Sequence, residues 1–92
     1  MCTYDTDIVA VSGSGKTASG WIPVTEAVVY FDHPVSAPHD HTLNIDVRNP
    51  ALGAAARVAL ELDPAAARRM AESILRILDA APPGLVEPAG VS

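Results

Sequence analysis

Arg57–Ala81 reads RVALELDPAAARRMAESILRILDAA, and the change of period at its middle decides the fold class. In Arg57–Leu62 the side chains Val58, Leu60 and Leu62 alternate with Arg57, Ala59 and Glu61, the two-residue period of a strand. After Asp63 the period becomes helical. Ala67, Met70, Ala71, Ile74, Ile77, Leu78 and Ala81 form one apolar stripe, with Arg68, Arg69, Glu72, Arg76 and Asp79 turned outward. Asp63 is a good N-cap, and Pro64 suits the first helical position, where its missing N–H costs nothing. Pro82-Pro83-Gly84 ends the helix. Arg68–Glu72 and Glu72–Arg76 stand at the spacing of modest i,i+4 ion pairs.

Upstream, the pattern is extended throughout. His41–Arg48 (HTLNIDVR) places Leu43, Ile45 and Val47 on one face and Thr42, Asn44, Asp46 and Arg48 on the other, a strand with one wet face. Glu26–Asp32 and Gly20–Val24 make a second extended region, in which Pro23 requires a bulge or a sheet edge. Thr3–Val11 is a further strand, ending at a Ser12-Gly13-Ser14-Gly15 turn. His33–Pro38 is a proline-punctuated loop. The expected fold is α+β: an antiparallel meander of about four strands with one C-terminal helix packed on one face. Residues 1–81 form the single domain and 82–92 a loose tail. One helix covers only part of such a sheet, so either the far face is polar or a second subunit covers it.

Composition narrows the function. Of 92 residues, 49% are hydrophobic and 18% charged, which favours folding over disorder. A chain this short hides only about 60–65% of its unfolded surface, so a homo-oligomer is expected. The net charge of −5 argues against nucleic-acid binding through phosphate neutralisation and against an electrostatic membrane anchor. No apolar run approaches the roughly 20 residues of a membrane span, and Met1–Asp7 lacks the pattern of a signal peptide. Cys2, the single cysteine, allows no intrachain disulfide. Cytoplasmic residence is the expectation.

Ser12–Thr17 (SGSGKT) imitates a phosphate loop, but Ala10 stands where its first glycine belongs and Ala-Ser-Gly-Trp-Ile-Pro does not start a helix. The histidines carry more chemistry. His33 has the strand parity of Phe31, and His39 and His41 share that of Leu43 and Ile45. If the strands stay regular to their ends, His33, His39 and His41 converge on the core side, a three-nitrogen set for zinc, copper, iron or nickel. In the alternative, the histidines sit in a solvated loop and only tune stability. His39-Asp40-His41 followed by Asp46 is similar to the first metal motif of cupins, but Asp46 has the wrong parity and the second motif is absent. Cys2 is an N-terminal chelate once Met1 is removed, a soft ligand completing the histidine site, or a small packed residue. Tyr30 and Asp32, opposite Phe31, form a binding surface or subunit contact with Glu26 and Val28, and Trp21 is a core or interface anchor.

As a whole the chain resembles an uncharacterised family of small actinobacterial proteins, a domain of unknown function. The resemblance rests on Met1-Cys2-Thr3-Tyr4, Gly13-Ser14-Gly15-Lys16, Gly20-Trp21, Phe31-Asp32-His33-Pro34 and His41-Thr42-Leu43-Asn44-Ile45-Asp46 with Asn49-Pro50, and continues to the alanine-rich helix. It implies a free-standing bacterial protein and supplies no established activity. The residues lead to three functional expectations. The first is a metal-binding protein, with metal-assisted activation of water or a small carbonyl compound if it is an enzyme. The second is a metal-free oligomeric binding module. The third is a pocket for a small organic molecule between helix and sheet.

Overall fold

The computed structural model describes residues 5–86. Four strands, β1 (Thr6–Thr17), β2 (Gly20–Asp32), β3 (Thr42–Arg48) and β4 (Arg57–Leu62), form one antiparallel sheet in the order β1-β2-β3-β4. Helix α1 (Pro64–Ala80) follows directly, and 3₁₀ turns occupy Pro50–Leu52 and Pro83–Leu85. The expected meander with a terminal helix is therefore what forms. None of the described helices is long and apolar enough to cross a membrane.

The first hairpin is longer than its composition suggests. Ser12–Gly15, read above as the turn, lies inside β1, and the chain reverses instead at Ala18-Ser19. The ladder runs Ala10↔Glu26 and resumes at Gly13↔Val24, three residues against two, so β1 carries a bulge. Gly15 is needed for closeness: a Cβ there would sit 3.3 Å from methyls of both Val24 and Val58. At the reversal, the Thr17 hydroxyl donates to the Gly20 carbonyl and accepts from the Ser19 N–H. Gly20 takes φ 116°, a value a side chain would strain. Pro23 lies in the part of β2 paired with β1 alone, since β3 pairs only from Glu26 onward. That is the edge position its missing donor requires. Its carbonyl accepts from Asn49 Nδ2 at 3.1 Å.

Burial departs from the alternation in β3. Thr42 and Asn44, expected on the wet face, are 0% and 3% exposed, while Leu43, Ile45 and Val47 are only half-buried. A distant carboxylate accounts for part of this. Glu61 accepts from the backbone N–H groups of Val35, Ser36 and Ala37 at 2.6, 3.0 and 2.8 Å, which draws the 33–41 loop back over that face. Among the described residues the buried apolar side chains are Val24, Val28, Ala56 and Ala67, a small core.

Helix α1 starts as its sequence dictates, with Asp63 Oδ1 accepting from the Ala66 N–H at 2.9 Å. Its apolar stripe is not packed as expected: Ala67 is its buried residue, and Ile74, Leu75, Ile77 and Leu78 are 48–63% exposed. The anticipated Arg68–Glu72 and Glu72–Arg76 pairs do not form. The ion pairs among the described residues are Arg48–Glu26 at 3.0 Å and Arg57–Asp46 at 3.7 Å. Of the expected loose tail, the described part forms the Pro83–Leu85 turn, closed by the Leu85 N–H on Pro82 O, and residues 87–92 lie outside the described residues.

Candidate functional site

The β2–β3 ladder ends at the pair Asp32↔Thr42. His33 and His41 stand one residue beyond it on either side, so alternation returns both to the face of Phe31 and Leu43. Their ring centroids are 4.3 Å apart with a 36° tilt. His41 also stacks on Phe31, at 5.5 Å and 8° between planes. The His33 backbone N–H donates to Asp32 Oδ1 at 2.7 Å, and its ring Nδ1 meets the Asp40 carbonyl at 3.0 Å. A carbonyl can only accept, so Nδ1 carries the proton and the neutral ring keeps its lone pair on Nε2. Backbone carbonyls orient metal-ligating and proton-transferring imidazoles in the same way.

His39 does not join them. It is exposed in the loop, with its backbone N–H bonded to Ala37 O at 2.9 Å. Among the described residues no three of His, Cys, Asp and Glu come together as a metal-holding group. His33 and His41 directly abut the last ladder pair, so strand parity carries over to both. His39 lies beyond Pro38 in the loop, where no alternation holds. Cys2 lies outside the described residues. Ser12–Thr17 is strand, so no helix start follows Lys16, whose Nζ instead lies 6.0 Å above the Trp21 ring.

Phe31 joins the imidazole pair to a groove between the sheet and α1. Val29, Phe31, Leu43 and Ile45 form its floor, and Met70, Ile74 and Leu75 its other wall. Its volume, about 680 Å³, is that of a small-molecule site. The groove lies where the third expectation put a pocket, although the sparse packing of α1 leaves it open.

In its own segment Glu61 reads only as an outward strand residue. Its carboxyl is held below the usual carboxylate range chiefly by the Val35 N–H and then the Ala37 N–H, with burial opposing them and the Ser36 N–H adding least. No local pattern could have disclosed this, because donors and acceptor lie in segments far apart along the chain.

Comparison of the chain with curated proteins and with solved structures gives no match. A family model, described as a family of unknown function (DUF6295), matches residues 1–87. The match spans nearly the whole chain, and the protein belongs to that family.

Proposed function

We propose that this chain is a homo-oligomeric binding module, with a second copy covering the apolar face of α1. The observation that carries the reading is the state of that helix. It is amphipathic, yet Ala67 is its buried residue while Ile74, Leu75, Ile77 and Leu78 stand half exposed or more. Burying one such side chain contributes about 1.5–3 kcal/mol, an appreciable part of a small domain's total stability. The buried apolar side chains among the described residues, Val24, Val28, Ala56 and Ala67, make too small a core to hold a chain of this length folded unaided. Cover is needed whenever the chain is folded, and the partner present at every such moment is another copy, most simply about a two-fold axis. Met70, Ile74 and Ile77 follow the four-then-three spacing of a helix–helix seam. The copy would also close the groove, leaving the His33–His41 pair at its Phe31 end as the polar anchor for a bound molecule. The single cysteine fits a cytoplasmic setting.

Sedimentation equilibrium and thermal melts over a range of protein concentration test this reading. The expected result is a mass of at least twice 9.5 kDa and a Tm that rises with concentration. A 9.5 kDa species with a concentration-independent Tm would overturn it.

A second reading, metal binding, is favoured by the imidazole pair, with Nδ1 of His33 anchored and its Nε2 bearing the lone pair. His33 and His41 would supply two nitrogens to zinc, copper, iron or nickel, and His39 or water the remaining positions. Calorimetric titration with Zn²⁺ of untagged protein, and of its H33N, H41N and H39N variants, tests it. Binding lost in the first two variants supports the pair as ligands. Binding absent from the parent, or unchanged in H33N and H41N, ends the idea.

A further inference from the structure

The sheet face opposite α1 carries a recess that neither the histidines nor the groove touches. Tyr30, Asn44 and Glu61 lie side by side across β2, β3 and β4 in the ladder register, with Asp46 one step along. Together with Arg57 they line a recess of about 520 Å³ beneath the Val35–Ala37 segment.

Its polar groups divide into engaged and unengaged. The Glu61 carboxylate already accepts three backbone N–H bonds. Asp46 and Arg57 approach only to 3.7 Å, a charge contact too long to be a good hydrogen bond. Asn44 is the informative residue. It is 3% exposed, and its Oδ1 accepts from the Thr42 hydroxyl at 2.6 Å, yet its Nδ2 donates to no partner among the described residues. No polar side-chain atom among the described residues is sealed from solvent without a partner, so this amide opens into the concavity that Asn44 lines. At that opening the carboxamide offers two N–H donors to whatever occupies the recess. Burial, and then the Asp46 charge, push the Tyr30 phenol up, which keeps it a protonated donor.

We propose that the recess binds a small zwitterion, an α-amino acid or close analogue, with its carboxylate on Asn44 Nδ2, the Tyr30 hydroxyl and Arg57, and its ammonium on Asp46. The charge pattern selects this class. Asp46 and Glu61 against Arg57 alone disfavour a plain anion. A plain cation would leave the Asn44 and Tyr30 donors unmatched and meet Arg57 repulsion. A molecule carrying both charges satisfies both sides of the site.

The test is ¹H–¹⁵N NMR of the full chain, titrated with glycine, L-serine, L-glutamine and L-lysine in turn, then with acetate and with methylammonium. The Asn44 side-chain NH₂ signals report directly on the proposed donor. At least one amino acid is expected to shift them saturably, the two half-ligands much less. R57Q and Y30F, both at partly exposed positions that leave the fold standing, should each weaken binding about tenfold, or about 1.4 kcal/mol. Unmoved Asn44 signals with all four amino acids would overturn the proposal. So would shifts by acetate alone as strong as those by an amino acid, or undiminished binding in R57Q.

Discussion

The hydroxyl of Thr42 donates a 2.6 Å hydrogen bond to Oδ1 of Asn44, two residues along the same strand, and both side chains are almost wholly buried. Thr42→Val keeps the shape and removes the donor, stranding a carbonyl oxygen in the interior. The expected loss is about 1–3 kcal/mol in chemical denaturation. Thr42→Ser, which keeps the hydroxyl and drops one methyl, should cost about 0.8 kcal/mol or somewhat more. Equal effects from the two would show that packing, and not the bond, matters at Thr42.

Glu61 gives a pH signature. Its carboxyl titrates below the ordinary value of 4.5 because its ionised form accepts the loop N–H groups. Its contribution to stability is therefore complete above that ordinary value and is lost as pH falls through the lower folded one. Glu61→Gln should be less stable than the parent at pH 7, with the difference shrinking below about pH 4.5. Paired urea melts across that range check the sign. A gap that widens on acidification would contradict it.

Ile77 separates the isolated chain from the assembled one. As an exposed residue of a lone protomer, Ile77→Glu should change stability by no more than about 0.5 kcal/mol. Within a helix–helix seam the same change buries an unpaired charge, dissociates the assembly and lowers Tm at every concentration. Mass by light scattering alongside the melt distinguishes the two.

Asp63 caps α1 through the Ala66 N–H. Asp63→Ala is expected to cost about 1 kcal/mol, and Asp63→Ser or Asp63→Asn a few tenths at most. Helical circular dichroism through the thermal transition reads the effect.

Much of the architecture was legible because it follows from neighbouring residues. Alternation in His41–Arg48 and Arg57–Leu62, and the Asp63-Pro64 start, are local instructions that the chain obeys. What misled were places where distant segments decide. Ser12–Gly15 has turn composition, but pairing with β2 absorbs it as a bulged strand whose glycine admits the Val24 and Val58 methyls. Thr42 and Asn44 follow the wet-face parity, yet the loop held by Glu61 folds back over that side. The histidine pairing was readable for His33 and His41, which flank paired strand, and unreadable for His39 beyond Pro38. The recess on the opposite face was foreshadowed only by Tyr30, because its other members come from β3 and β4.

The far half of the first hairpin has one strand on one side and no ladder on the other from Gly20 to Thr25, and is tied at Pro23 by the Asn49 amide. Val24 anchors the base of this ribbon in the core, whereas Ala18 and Ser19 at its end are exposed. Its tip at Ala18-Ser19 is accordingly the place to graft a fluorophore, an affinity peptide or a crystallisation chaperone epitope. That tip adjoins the Gly20 end of β2, whereas Val29–His33, the β2 residues of the groove, the recess and the imidazole pair, stand at its other end, so each can be assayed with a handle in place.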